Sequence, residues 1–448
     1  MLNMNNNILK ILQVSNAFIQ APMLGITSPA MVSAISNTGG LGSLPVGGLS
    51  AEHTRNLIRE TKKLTNCVIN VNTFAYELPE ISDSLNTSAT NMALTLNDIS
   101  VSAGLSNVNV HSDNKPPPCC SLEGMASYKD QIPVFIEENI SVVSFTFGCM
   151  TKEEIKKLQN ARIAVVGTAT NVAEALYLKE HGVDVIIAQG YEAGGHRGSF
   201  LPVPSQRPLG AANSSRETCD PPGIGLFSLL PQVCAAVNSS GLSCSPRGAP
   251  SRTKYTPIVA AGGIYSGRTA VAAYTLGADA VQLGSCFINT KESLATQAHK
   301  RAVATAADTC TDYTAAFSGR SARGLRNTFS GLMYKYPPAE TPCANIAPGS
   351  VEESTLLPYP VQNILTTPGN SEFSNIWAGQ SSGRYGSCSI GIGFDSGVVP
   401  AVALVNDEIP DDDVETLLET FGNRSCKDVL YDIVSDTNSI LSKQMGLY

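Results

Sequence analysis

The sequence predicts an α/β fold, a TIM (β/α)8 barrel with inserted loops and a helical C-terminal lobe. Short apolar runs rich in β-branched residues recur eight times before residue 290. Each run is apolar throughout rather than alternating, as strands buried on both faces of a parallel sheet require. Amphipathic or Ala-rich stretches with capping residues lie between them, and strand and helix alternating around eight strands is the pattern of a closed barrel. A doubly wound sheet competes, but no G-x-G-x-x-G follows the first strand.

The elements follow in order. "AFIQAPM" (17–23) is the first strand, and "SPAMVSAISNTGG" the first helix of the alternation, with Ser28 as its cap, Pro29 in its first turn and glycines at its end. "LGSLPV" (41–46), the helix "SAEHTRNLIRETKKL" and "CVINVN" (67–72) come next. "VVSFTF" (142–147), "RIAVVGTA" (162–169) and "VDVIIAQG" (183–190) alternate with the helices "TKEEIKKLQN" and "TNVAEALYLKEHG". "PIVAAGGI" (257–264), "SGRTAVAAYTLGA" and "AVQLGSCF" (280–287) complete the set. Residues 79–120, 203–256 and 335–375 break the alternation, are rich in Ser, Asn, Pro and Gly, and have the composition of inserted loops. The domain reading is therefore 1–290, a barrel with two insertions near 79–120 and 203–256, then 291–448, a mainly helical lobe with a loop-rich insertion near 335–375. That lobe could cap the barrel or form a contact in a homodimer.

With 448 residues and 43% hydrophobic content the chain can bury a large core, and its formal charge of −8 supplies no basic field. Nucleic acid and anionic membranes have no electrostatic support as partners, which leaves a small molecule. The N-terminal "MLNMNNNILKILQVSN" has no h-region, and no run of eighteen apolar residues occurs, so the expected location is cytoplasmic. Twelve cysteines without a C-x-x-C pair are expected as reduced thiols, and no histidine pair has metal-ligand spacing.

In such a barrel the chemistry belongs at the C-terminal strand ends. Gly262 and Gly263 after the seventh strand, with Gly284 and Ser285 after the eighth, form a candidate phosphate cradle, because glycine lets backbone amides turn toward an anion. Asn70 and Gln189, at the ends of the third and sixth strands, carry the paired donor and acceptor that suit the edge of a flat heteroaromatic ring. A phosphate plus such a ring suggests flavin mononucleotide (FMN). After the sixth strand, "GYEAGGHRGS" (190–199) places His196 behind Gly194 and Gly195, on backbone free to approach a bound ring. Histidine titrates near neutrality, so it can take a proton from a carbon acid or, protonated, stabilise an anion. Arg197 is expected to pair with a carboxylate, with Glu192 as the candidate. The other four histidines look peripheral.

The segments "IQAPMLGITSPAMVSAISNTGGLGSLPVGGLS" (19–50), "QGYEAGGHRGSF" (189–200), "PIVAAGGIYSGRTAVAAYTLGADAVQLGSCF" (257–287), "FSGRSARGLRN" (317–327) and "WAGQ" (377–380) together resemble the nitronate monooxygenase family, formerly 2-nitropropane dioxygenase. The resemblance implies non-covalent FMN, no metal, and oxidation of alkyl nitronates such as propionate 3-nitronate by O2 to carbonyl compounds and nitrite. It also implies that Pro22, Met23 and Leu24 run along the flavin, Asn70 and Gln189 contact it, and Gly194 lies against it. Gly263 and the run Gln282, Leu283, Gly284, Ser285 would hold the phosphate end, with His196 as the catalytic residue. Ser285 stands where the family usually has threonine, and it keeps the hydroxyl. Two alternatives share these features: an FMN-dependent enoyl-acyl carrier protein reductase of the FabK type, using NAD(P)H, and a non-catalytic flavin-binding barrel.

Overall fold

Every one of the eight apolar runs forms a strand in the computed structural model, which describes residues 6–78, 125–201, 223–238, 255–333, 371–382 and 423–444. The barrel strands are β1 (Phe18–Gln20), β2 (Gly42–Pro45), β3 (Ile69–Phe74), β4 (Val142–Thr146), β5 (Ala164–Ala169) and β6 (Val185–Gln189), followed by β8 (Ile258–Ala261) and β9 (Ala280–Leu283). All neighbours pair in parallel, in the order β1-β9-β8-β6-β5-β4-β3-β2. The ring is completed by a parallel bridge between Ile19 and Leu41: the Leu41 amide donates to the Phe18 carbonyl and the Gln20 amide to the Leu41 carbonyl, each at 2.9 Å. Parallel strands with both faces covered need apolar residues at successive positions, and Val142, Val143, Phe145, Val185, Ile186, Ile258 and Val259 are all buried.

The intervening helices begin where the capping residues predict. Ser28, Ser50, Thr151, Asn171 and Ser266 each accept an amide from the first turn of the helix that follows. Thr151 and Glu154 form a reciprocal capping box. Gly182 ends the helix Val172–His181 at φ +91°, where a side chain would be strained.

Inside the strands the barrel carries a polar layer that the apolar runs do not announce. The Gln20 Oε1 accepts from the Ser43 amide at 2.9 Å, Asn70 Nδ2 donates to the hydroxyls of Ser43 and Ser144, and Asn72 Nδ2 donates to Ser144 at 2.9 Å. These bonds link β1 to β4 across the interior and satisfy groups that would otherwise be costly to bury.

After residue 290 the helical pattern is observed at Gln297–Thr305 and Cys426–Gln444. Cys426, Val429, Leu430 and Ile433 of the second helix join the main core, and that helix packs on the helices Gly267–Thr275 and Pro29–Asn37. The chain thus returns to the outside of the barrel. Between the two helices lies an unannounced hairpin, β10 (Thr311–Thr314) and β11 (Ala322–Leu325). β11 also pairs antiparallel with β7 (Gly195–His196), so a three-stranded sheet, β10-β11-β7, stands beside the barrel. Of the expected insertions, 79–120 lies outside the described residues, as do 203–222 and 239–254 of the one at 203–256 and 335–370 of the one at 335–375. No described helix is long and apolar enough to cross a membrane.

The tightest approach of helix to strand is at Gly42, where an added Cβ would lie 2.2 Å from the Val32 carbonyl oxygen. Gly42→Ala is expected to destabilise the fold by about 1–3 kcal/mol through overpacking, read as a lower denaturant midpoint at unchanged slope.

Candidate active site

A cavity of about 600 Å³ opens at the C-terminal ends of the strands, within the size range of small-molecule sites. Pro22, Met23, Leu24, Gln189, Gly194, His196, Gly263, Gln282, Gly284 and Ser285 all line it, so residues up to 263 positions apart in sequence converge there as expected. Leu24 is 52% exposed at its rim. Two expected residues are not among those that line it. Asn70 is buried one layer deeper, its amide nitrogen engaged by Ser43 and Ser144 while its Oδ1 has no partner among the described residues, and Leu283, the last residue of β9, is fully buried, its carbonyl accepting from the Ala21 amide at 2.7 Å. Asn72 lines the wall instead. Residues 70 and 72 share the inward face of β3, and alternation gives the face but not the depth.

At one end, Gly262 and Gly263 adopt φ of +105° and +68°, turning the backbone after β8. Among the described residues, the amides of Gly263 and Ile264, and those of Gly284 and Ser285, find no protein acceptor. Two short loops thus present unpartnered donors to one space, the arrangement that a phosphate satisfies. Ser285 Oγ accepts from the Gly379 amide at 2.9 Å and keeps its own hydrogen to donate. The donor set and the cavity size fit FMN.

At the other end stands His196. Its backbone is held by β11, where Ala322 is its partner, and by Gln189, whose Nε2 donates to the His196 carbonyl at 3.1 Å while its Oε1 accepts from the Gly198 amide at 2.8 Å. The Gln189 side chain therefore ties the histidine loop to the barrel. The ring contacts Phe147 edge-on at 5.7 Å and Trp377 at 5.5 Å, and Nε2 lies 2.7 Å from Ser318 Oγ. Burial, helped by the positive charge of Arg320, pushes the imidazole down from 6.5 to about 3. Of the two roles open to it from sequence, this selects the neutral form, which can accept a proton.

Phe147 itself has φ +73°, a strained conformation for an aromatic residue. It packs at 4.8 Å on Phe74 and receives the Arg320 guanidinium 4.3 Å from its ring centre. Gly194 is confined by protein backbone: a Cβ there would lie 2.4 Å from the Gly379 nitrogen.

Arg197 does not pair with Glu192. It is buried and donates to the carbonyls of Gln189, at 2.8 Å, and Thr170, at 3.2 Å. The Glu192 carboxylate accepts instead from the Leu226 amide at the start of the helix Leu226–Asn238, where a negative charge suits the helix dipole. His299, expected to be peripheral, is buried, with Nε2 3.2 Å from the Trp377 carbonyl. Sequence reasoning placed Asn72 at the end of the third strand without giving it a role, and missed Phe147, Ser318 and Trp377. The last two lie in the "FSGRSARGLRN" and "WAGQ" segments, whose resemblance was visible while their part in the site was not.

Cavity, donor loops and neutral histidine define a TIM-barrel enzyme. A family model, nitronate monooxygenase, matches residues 5–389, and the chain belongs to that family of oxidoreductases. A probable nitronate monooxygenase of Staphylococcus haemolyticus (strain JCSC1435) is 34% identical over 385 residues, 84% of this chain and 91% of that protein. One of Staphylococcus saprophyticus subsp. saprophyticus is 32% identical over 392 residues, 85% and 93% of the two chains. Among solved structures, nitroalkane oxidase from Streptomyces ansochromogenes superposes with a TM-score of 0.66 at 25% identity, covering 98% of this chain and 99% of that one. FabK from Thermotoga maritima, with a TM-score of 0.57, 20% identity and 98% coverage of each chain, shares the fold.

The depressed histidine has a consequence for stability. Between pH 6.5 and about 3 the unfolded chain binds a proton at His196 that the folded state does not, so this contribution is complete above pH 6.5 and is lost as pH falls. Between pH 7 and 5 the melting temperature is expected to drop further in the native protein than in His196→Asn. Equal drops would show that His196 titrates normally.

Proposed function

We propose that the chain is an FMN-dependent nitronate monooxygenase that converts alkyl nitronates, such as propionate 3-nitronate, with O2 to carbonyl compounds and nitrite. The observation that carries this reading is the presence in one cavity of a half-buried His196 whose neutral form is favoured and a cradle of unpartnered amides. Family membership supports the reaction class. A cytoplasmic location, expected from the sequence, and a homodimer, which the sequence leaves open, remain part of the reading.

FMN, when bound, supplies the electron acceptor and the route to dioxygen. Its phosphate would rest on Gly263, Ile264, Gly284 and Ser285, with Gln282 beside it and the flavin body along Pro22, Met23 and Leu24. What the chain adds is shape, exclusion of water and a proton acceptor. Phe147, Phe317 and Trp377 line the histidine end with apolar surface, which dries the space where charge develops and strengthens electrostatics there.

A nitronate arrives already anionic and needs no base. With a neutral nitroalkane, the α C–H bond breaks, its electron pair passes into the nitro group, and the proton goes to the imidazole of His196. An imidazole held at about 3 is a weak base alone. The nitronate formed against it changes that, because an adjacent negative charge offsets both burial and Arg320 and favours the imidazolium. The pair is thus formed together.

His196→Asn should lower turnover of neutral nitroalkanes by about 100-fold or more relative to turnover of nitronates, the range for loss of a general base. Equal loss on both substrates would remove the base role. Since kcat/KM reports the free enzyme, its value for a neutral nitroalkane should show no inflection near pH 6.5. Anaerobic mixing tests the wider reading: flavin reduction by propionate 3-nitronate, then nitrite release on admitting air, is the expected result. Reduction by NADH alone would indicate the FabK-type reductase, and bound FMN without turnover on either substrate class a non-catalytic binder.

A further inference from the structure

Two hydrogen bonds meet on the hydroxyl of Ser318. His196 Nε2 lies 2.7 Å from Oγ, and Oγ donates to the Arg320 carbonyl at 3.2 Å. A serine hydroxyl has one hydrogen to give and lone pairs that accept. The Arg320 carbonyl can only accept, so a hydroxyl that gives its single hydrogen there has only lone pairs left for the ring. Ser318 Oγ is then an acceptor toward the ring, and the proton between them belongs to Nε2. In a neutral imidazole the lone pair must then sit on Nδ1.

We propose that Ser318 is a positioning residue that fixes His196 as the Nε2–H tautomer and so makes Nδ1 the atom that receives the substrate proton. The proton-transfer half of this rests on the reading of His196 as a base. The tautomer half stands on geometry alone.

The local architecture holds this arrangement in place. Ser318 is buried in the connection between β10 and β11, four residues before Ala322, the ladder partner of His196. One ladder therefore sets both the imidazole and the hydroxyl. Arg320 is anchored independently: its Nε donates to the Arg197 carbonyl at 3.4 Å, its Nη2 to the Ser199 carbonyl, and its guanidinium covers Phe147. A residue anchored by its side chain on the loop that follows β7 presents a fixed carbonyl to Ser318. Were the serine to turn and donate to Nε2, the Arg320 carbonyl would lose this donor and the ring proton would move to Nδ1.

The two states differ in a nitrogen spectrum. With 15N-labelled histidine, a long-range proton–nitrogen correlation of the FMN-loaded protein at pH 7 shows which ring nitrogen is protonated, and the His196 signals are those lost in His196→Asn. A protonated Nε2 and bare Nδ1 are expected in the native protein, a mixture of tautomers in Ser318→Ala, and the native pattern again in Ser318→Thr. In parallel, the ratio of kcat/KM for a neutral nitroalkane to that for its nitronate should fall by about 10- to 100-fold in Ser318→Ala, part of the general-base contribution, and recover in Ser318→Thr. A purely structural serine would lower both rates together and leave their ratio intact. A native spectrum with Nδ1 protonated overturns the proposal without need of any Ser318 variant, as does a tautomer and ratio unmoved in Ser318→Ala. A ratio that ignores His196→Asn overturns the base reading, and with it the proton-transfer half, while the spectrum still decides the tautomer.

Discussion

A two-residue strand cannot hold itself in place, yet β7 has to carry His196 over the mouth of a barrel. Everything around it serves that constraint. On the barrel side, Gln189 grips the loop twice, through the His196 carbonyl and the Gly198 amide. Arg197, one residue on, reaches down to the carbonyls that end β5 and β6. On the outer side, β11 supplies the ladder and Arg320 binds the carbonyls of Arg197 and Ser199. The imidazole is positioned because its backbone is bound on both flanks by groups that themselves have little freedom.

The same anchoring sets the electrostatics. Arg197 and Arg320 are present for mechanical reasons, as multi-donor clamps on backbone carbonyls, and their hydrogen bonds leave the positive charge in place. Beside His196, the Arg320 guanidinium and the apolar walls penalise an imidazolium and favour an anion. Free His196 is therefore neutral, and an anionic ligand is welcome beside it. Once the anion is present, the penalty on protonating the ring shrinks. One field thus accounts for attraction of a preformed nitronate and for the base needed when the ligand arrives neutral.

The barrel was legible because a strand buried on two faces leaves an unbroken apolar run, and eight such runs survive the long insertions. The glycine loops after β8 and β9 and the loop bearing His196 were legible for a similar reason, since each is forced to a strand end by the topology. Depth was not. Asn70 and Asn72 have the same parity, and only the three-dimensional stacking of the layers shows that Asn72 lines the cavity while the Asn70 amide nitrogen is engaged one layer below by Ser43 and Ser144. The hairpin was not legible either. "TDYT" and "ARGL" have no apolar run, and β11 meets β7 across more than a hundred residues of chain. Without that pairing, Ser318 and Trp377 have no visible connection to His196, and Glu192 looks like the natural partner of its neighbour Arg197.

The two ends of the cavity are also coupled, through a segment that belongs to neither. Gly379 donates its amide to Ser285 Oγ in the anion cradle, while the same nitrogen occupies the space that a Cβ on Gly194 would need. Next to it, the Gln380 amide donates to the Glu192 carbonyl at the root of the histidine loop, and Trp377 packs on the His196 ring. The four residues "WAGQ" therefore bridge the cradle and the base. Packing this close leaves the segment few alternative arrangements. A phosphate seated on Ser285 would fix the hydroxyl that holds Gly379, and through Gly379 the backbone two residues before His196. The glycine at 194 must be a glycine whether or not it touches a flavin, because a Cβ there would lie 2.4 Å from the Gly379 nitrogen.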